Sequence, residues 1–321
     1  MLEFCKNTFL WGDYIHEVWD TWYSDENGLL VVAEISSKDL DTGGQGDMTI
    51  LQSGDNCYHH NEVVGVSHAY VCPNSKQLWV EGIRINPRYR RMGIASMLIY
   101  RMIQYGIGVN SSIREAAAIT AETNTPSMRM LEKNYFQKRA LWTYYTWSKV
   151  KSLTTDYRRL RICNQMDVTC ASQSDVEEIT SFLSTSKTFI SGGRRHVQSW
   201  KWYVLDLQSS KISELIAKKK IILVRTKELH DIVGLAITNH IYDNDDNLSL
   251  QLVYLDTRAA ALENLLAFIM DYVISSCRIN SIQLFCPKQV YGDSYEFNEA
   301  DVLAKFGISR LERFLLYTRR I

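Results

Sequence analysis

Residues 78–98, LWVEGIRINPRYRRMGIASML, constrain the fold more than any other stretch. An apolar run from Leu78 to Ile85 has strand character and stops at Asn86-Pro87. A basic turn with one glycine follows, Arg88 to Gly93, and an apolar helical pattern starts at Ile94. The first-turn N–H groups of a helix have no intrahelical partners, and the helix dipole makes that end positive. Glycine lets backbone approach a ligand closely, and arginines make charge-assisted bonds to phosphate oxygens. Strand, basic glycine turn and helix in this order point to a turn that holds phosphate.

The 321 residues suffice for two domains, each with its own core. Lys+Arg and Asp+Glu both number 36, and neither half is basic: 1–150 carries 14 basic and 16 acidic residues, 151–321 carries 22 and 20. Broad nucleic-acid binding is therefore not expected, and any positive field is local, as at Arg88–Arg91. The seven cysteines form no CxxC pair and are odd in number, which points to reduced thiols and cytoplasmic residence. No apolar run is long enough to span a bilayer, and no signal peptide or membrane partner is expected.

Phe4, Phe9, Trp11, Ile15, Val18, Trp19 and Trp22 recur at helical spacing from the start of the chain. Strands are expected at Leu29–Ile35, Glu62–Val71, Leu78–Ile85, Ala116–Ala121 and Leu141–Trp147. The polar, glycine-rich residues 36–61 read as an excursion between strands. Helices are expected from Ile94 to about Tyr105 and from Pro126, at its preferred first-turn position, to about Asn134. The basic, aperiodic residues 151–166 read as a linker, which gives domains 1–150 and 167–321.

The second half repeats the order of elements. It reads as strand Val168–Ala171, helix Asp175–Ser184, helix Lys201–Ala217 and strands Ile221–Arg225, Ile232–Ile241 and Leu248–Leu255. Helix Ala259–Ile274, strand Ile282–Cys286, helix Ala300–Phe306 and strand Phe314–Tyr317 complete it. MLEKNYFQKRALWTYY (130–145) lies over VLAKFGISRLERFLLY (302–317), with Leu131 on Leu303, Lys133 on Lys305 and Tyr145 on Tyr317. Duplication and divergence explain this. The strand at Val168–Ala171 has no counterpart in the first half, so either that strand is missing there or the true start lies upstream.

Arg90-Arg91-Met92-Gly93-Ile94-Ala95 resembles the acetyl-CoA motif Q/R-x-x-G-x-G/A of the GCN5-related N-acetyltransferases, and Ile83 to Pro87 resembles the strand and proline before it. Asn124, Ser127, Leu131, Lys133, Tyr135 and Phe136 resemble the family's second motif, N-x-x-A-x-x-L-Y-x-K-x-G-F, in the right order and at a normal separation. The resemblance covers residues 1–147. It implies an α/β (α+β) chain of two GNAT-like domains, each a mixed, mostly antiparallel sheet flanked by helices, the second a degenerate copy. The first sheet would splay between its fourth and fifth strands, with the pantetheine arm in the gap. The second half has Tyr254 to Ala260 in place of the phosphate turn, without glycine or arginine pair, so one coenzyme site per chain is expected.

The resemblance implies transfer of an acetyl group from acetyl-CoA to a primary amine by direct attack, with no metal. Arg90, Arg91, Met92, Gly93, Ile94, Ala95 and Ser96 would hold the pyrophosphate. Ile83, Arg84 and Ile85 would offer backbone to the pantetheine, the side chains of Ile83 and Ile85 lying in the core. Asn124 would bond the pantetheine or cap its helix. Glu81 is the first candidate base, since a carboxylate amid apolar strand residues is costly unless used or paired. Its structural alternative is a salt bridge to Arg84 or a solvent-facing edge. Glu122 and His68 follow as candidates, His68 more readily as a hydrogen-bonded structural residue. Leu131 stands where the family usually has the tyrosine acid. Tyr135 could replace it if the helix reaches that far, and Cys72 reads as a buried thiol. The alternative function is an acyl-CoA-binding sensor or scaffold without transferase activity. Neither the acceptor nor the oligomeric state is legible.

Overall fold

The computed structural model describes residues 3–5, 13–36, 48–52, 61–72, 75–148, 164–242, 248–276, 278–287 and 299–321. Contacts divide the chain into two compact units: Met1–Lys138 with Tyr317–Ile321, and Arg139–Leu316. Of the expected linker, 151–163 lie outside the described residues, as do Phe9, Trp11, Cys57, Cys163 and Cys277.

Unit 1 begins with a short 3-10 turn, Glu3–Cys5, and helix α1, Ile15–Ser24. Among the described residues, the aromatic spacing makes a helix over Ile15–Ser24. Ile15 and Trp22 are buried with Cys5, Leu30 and Val66, which is the core role expected of that stripe. Strands β1 (Gly28–Ser36), β2 (Met48–Gln52), β3 (Asn61–Val71) and β4 (Gln77–Ile85) follow. β2 corrects the reading of 36–61 as an excursion: Met48–Gln52 pairs antiparallel with β1. Its Met-Thr-Ile-Leu run is short and set among glycines, so periodicity alone did not mark it. Then come α2 (Ile94–Val109), β5 (Glu115–Ala121) and α3 (Thr125–Lys133). The strand order is β2-β1-β3-β4-β5. All neighbours run antiparallel except β4 and β5, which are parallel.

Two features of β4 shape unit 1. First, it pairs with β5 only at Gln77–Glu115, Leu78–Ala116 and Trp79–Ala117, and the strands then part, as the expected splay requires. Second, β4 carries one extra residue against β3. His68 stands opposite Glu81 and Val66 opposite Arg84, so Ser67 faces both Gly82 and Ile83. Gly82 has φ +66°, the left-handed value such a bulge favours.

Unit 2 takes most of β6 (Gln137–Ser148), whose residues Trp142 to Ser148 pair with its strand β13. Next come β7 (Met166–Cys170), α4 (Val176–Thr185), α5 (Lys187–Ser191), β8 (Arg195–Gln198), β9 (Lys201–Val204) and α6 (Ser209–Ala217). They are followed by β10 (Ile221–Thr226), β11 (Ile232–Tyr242), β12 (Leu248–Thr257), α7 (Ala259–Ser275), β13 (Ile279–Pro287) and α8 (Glu299–Lys305). The sheet order is β6-β13-β12-β11-β10-β7, with β12 and β13 the parallel pair. The expected helix 201–217 is corrected: its first residues pair with β8 as a hairpin. The hairpin turn, Ser199-Trp200, has φ of 47° and 61° without glycine. Trp200 makes edge contacts with Tyr144, Phe285 and Phe314, and that packing offsets the strain. The last strand, β14 (Ser309–Arg320), ends in residues assigned to unit 1, where Ile321 N donates to Arg114 O at 3.0 Å.

The structure carries marks of the repeat beyond element order. Gly65 stands opposite Ile85, and Gly234 opposite Thr257, in each case the last residue of the strand that leads into the long helix. A Cβ on Gly65 would lie 3.0 Å from Ile85 Cδ1, and one on Gly234 2.7 Å from Thr257 Oγ1. The paired closing segments also end their helices alike. Phe136 N donates to Leu131 O and Tyr135 N to Glu132 O, while Ile308 N donates to Leu303 O and Gly307 N to Ala304 O, all at 2.9–3.0 Å. These are Schellman caps, which need a left-handed residue. Gly307 supplies it at φ +71°, whereas unit 1 uses Tyr135 at φ +65°. Replacing Tyr135 by glycine is expected to stabilise unit 1 by about 0.5–1 kcal/mol, after loss of its contact with Arg319. Gly307→Ala should cost about 1 kcal/mol. Urea denaturation of both variants checks the opposite signs.

Candidate functional site

The strand, basic glycine turn and helix are built in the order the sequence suggests. Pro87–Tyr89 form one 3-10 turn, opened by Asn86 Oδ1, which accepts from Arg88 N at 3.1 Å. Glu62 ties the turn to β3: its carboxylate accepts from Tyr89 OH at 2.6 Å and Asn86 Nδ2 at 3.3 Å. That bond to Glu62, more than burial, raises the Tyr89 pKa. Arg91 and Gly93 follow with φ of 68° and 84°. Gly93 is the N-cap of α2, and Ser96 and Met97 return their N–H groups to its carbonyl. The N–H groups of Ile94 and Ala95 open the helix and have no intrahelical acceptor. Arg90, Arg91, Met92 and Gly93 are exposed, and a Cβ on Gly93 would meet nothing within 4 Å. Among the described residues, Arg90 and Arg91 enter no ion pair; Arg90 Nε donates to Ile85 O at 3.3 Å. Two uncompensated cations and the open end of a helix thus share one solvent-facing turn.

The second motif is joined to this turn. Asn134, at the end of α3, donates from Nδ2 to Ser96 Oγ at 3.1 Å and to Met130 O at 2.8 Å. Asn124 caps the other end of α3, its Oδ1 accepting from Ser127 N at 3.2 Å. Glu122 is half-buried in the turn between β5 and α3. The possibility that Tyr135 shares the face of Leu131 is corrected. α3 ends at Lys133, Leu131 is buried, and Tyr135 turns outward in the left-handed region with its ring under Arg319.

Glu81 lies on β4 just past the point where β5 parts from it. Its Oε1 is 3.0 Å from His68 Nδ1, and Trp79 Nε1 donates to Oε2 at 3.0 Å. The Glu81 side chain is 15% exposed and the His68 side chain 1%, so the carboxylate reaches solvent while the imidazole backs it. His68 stacks on Trp22, with centroids 4.6 Å apart and planes 5° from parallel. Trp22 passes against Gly82, the bulge residue. Arg84, next along the bulged strand, forks onto Asp13 at 2.7 and 3.1 Å and covers the Tyr14 ring. Burial, more than the nearby Glu81 charge, raises the Tyr14 pKa. Arg84 therefore spends its guanidinium inside unit 1. Ile83 and Ile85 are half-buried, a correction to the expectation that their side chains lie in the core; β5 pairs with β4 only as far as Trp79. Cys72 is buried at the β3–β4 turn.

Sequence reasoning missed Asp13, Tyr14, Trp22 and Asn134. Only the glycine inside β4 signalled the bulge. Among the described residues no three His, Cys, Asp or Glu side chains are grouped to hold a metal, and no helix is long and apolar enough to cross a membrane.

The corresponding place in unit 2 is built differently. Eight residues (86–93) separate β4 from α2, but only Arg258 separates β12 from α7. Counting back from the paired glycines, Asp256 takes the strand position of Arg84. Its carboxylate accepts from Ser186 Oγ and, at 3.1 Å, from Tyr254 OH, and burial raises its pKa. Phe189 of α5 sits edge-on against Tyr254.

Comparison with known proteins gives a consistent result. A GCN5-related N-acetyltransferase from Sphaerobacter thermophilus matches with TM-score 0.50 and 11% identity, over 86% of this chain and 81% of that one. A tandem GNAT protein from the clavulanic acid biosynthesis pathway matches at TM-score 0.47 and 10% identity, over 92% and 84%. A putative acetyltransferase from Thermoplasma acidophilum matches at 0.47 and 12%, over 100% and 93%. At 11% identity the first of these likenesses is one of fold alone. No curated protein sequence matches. The acetyltransferase (GNAT) family profile matches residues 5–136, the stretch that holds the turn, the parted strands and Glu81. Residues 5–136 therefore belong to the acetyltransferase (GNAT) family.

Proposed function

We propose that unit 1 transfers an acetyl group from acetyl-CoA to a primary amine by direct attack, with one coenzyme site per chain. The observation that carries this is the coincidence, on one strand and the turn after it, of the parting from β5 after Trp79, the largely buried carboxylate of Glu81 and the open basic turn at Arg90–Ser96. Acetyl-CoA, when bound, supplies the activated acyl group as a thioester. Its pyrophosphate suits the turn, which offers first-turn N–H groups, Arg90 and Arg91. The backbone of Ile83–Ile85, free of β5, offers donors and acceptors to a pantetheine chain. Preorganised N–H groups there would polarise the acyl carbonyl. Glu81 takes the amine proton, its orientation set by His68 and Trp79. Asn124 and Glu122 flank the second side of the gap. Neither Leu131 nor Tyr135 protonates the leaving thiolate, so water does. In unit 2, the single residue before α7 and the carboxylate of Asp256 leave neither room nor charge for a pyrophosphate.

Isothermal titration with coenzyme A tests the site. The intact protein is expected to bind, and Arg91→Glu and Gly93→Glu are expected to weaken binding by about tenfold or more. No binding, or equal binding by both variants, would sink the proposal. The buried Leu131 favours a second reading, an acyl-CoA-binding sensor without chemistry. Coenzyme binding with no transfer across a panel of small amines and peptide amines would select it.

A further inference from the structure

Unit 2 holds a polar cluster that the transfer reaction does not use. On β12 and β13 the aliphatic residues Leu250, Leu252, Ile282 and Leu284 pack into the core formed with α7. Alternate residues of a strand face the other way. On that other face the register sets Asn239 beside Gln251 and Gln251 beside Gln283. Gln251 Nε2 donates to Gln283 Oε1 at 3.1 Å, and Lys220 Nζ donates to Asn239 Oδ1 at 2.7 Å. A row of amides ending in an ammonium group crosses β11, β12 and β13.

Two buried atoms in this region have no partner. Gln251 is 0% exposed, yet its Oε1 meets no donor. β8 packs against β12 and carries His196, whose buried Nδ1 is also unpartnered. Such atoms are costly to leave unmet, and native proteins seldom do so. Around His196 the cations Lys211, Lys220 and Arg195 face one carboxylate, Glu214. Burial, then Lys211 and Lys220, hold the His196 pKa down at about 4, so the imidazole is neutral. Glu214 pairs with Lys211 at 2.7 Å and lies near Lys220, whose ammonium donates to the neutral Asn239. Lys220, Asn239 and Gln283 are half-buried, so the row meets solvent on both sides of the covered Gln251, and a ligand reaches Oε1 by displacing the side chains over it.

The geometry points to a binding site on this face of unit 2 for a small carboxylate with a neutral O–H or N–H donor beside the carboxylate group, as in hydroxy acids and N-acylated amino acids. Lys220 takes the carboxylate, and Gln251 Oε1 takes the donor. A free amino acid fits less well, because Lys220 repels its ammonium group. The site stands independently of the acetyl-transfer reading.

Calorimetric titration of the intact protein with lactate, N-acetylglycine, glycine and acetate tests it. Lactate or N-acetylglycine is expected to bind saturably, at least about tenfold more tightly than glycine or acetate. Lys220→Met and Gln251→Leu, each checked for a cooperative melt, are expected to weaken the bound probe by about tenfold or more. Both should leave coenzyme A binding unchanged. If one variant fails to fold, the other variant and the ranking of probes still decide. Three results overturn the site: no saturable binding of either donor-bearing acid, equal binding of glycine or acetate, or affinity that survives substitution of a folded variant.

Discussion

Gly82→Ala is expected to destabilise unit 1 by about 2–4 kcal/mol, a large share of the stability of an ordinary domain. Two separate costs add. Gly82 has φ +66°, where an L-side chain costs about 1 kcal/mol or more. Its Cβ would also lie 2.2 Å from Cη2 and 2.7 Å from Cζ3 of Trp22, which overpacks the site by about 1–3 kcal/mol. The indole cannot step aside, since it is buried and stacked on His68. Shifting it would pull on His68 and through it on Glu81. Urea denaturation gives the loss directly, and a loss below about 0.5 kcal/mol contradicts the account. In a Trp22→Phe background the same substitution should cost less than it does beside Trp22, because the smaller ring eases the clash.

Glu81→Gln is expected to lower the turnover number for acetyl transfer by about 10²–10⁴-fold, the usual contribution of a general base. The substitution keeps shape and volume, and Trp79 Nε1 can still donate to an amide oxygen. Coenzyme A binding should therefore hold, and the melting temperature should move little. The remaining activity should lose the acidic limb of its pH profile, since the amide does not titrate. Unchanged turnover removes Glu81 from the base role and leaves His68 or Glu122 to be tested. A fall in turnover that tracks a fall in coenzyme affinity would instead mark Glu81 as a structural member of the His68–Trp22 stack.

Much of unit 1 was legible because its signals are local. Pro126 after Asn124-Thr125 marks a helix start, and Asn124 does cap α3. The glycine and arginines after Ile85 mark a turn, and Arg91 and Gly93 take left-handed backbone there. Tyr135 shows the limit of such reasoning. A tyrosine carries no turn signal, yet it fills a position that Gly307 fills by rule in the second unit. The β8–β9 hairpin was hidden for the same reason, since Ser199-Trp200 turns without glycine and is held by aromatic contacts from Tyr144, Phe285 and Phe314.

The sequence by itself determined most of the order of elements, the duplicated pattern and the place of the basic glycine turn, because each is set by contacts within about ten residues of chain. Only the tertiary structure decided the rest. It paired Arg84 with Asp13, 71 residues away. It set Glu81 against His68 and set β6 beside β13. Register fixes which side chains meet, and register is chosen by burial across the whole sheet rather than by any one strand. That is why the basic glycine turn could be read from a line of letters, while the surroundings of the candidate base could not.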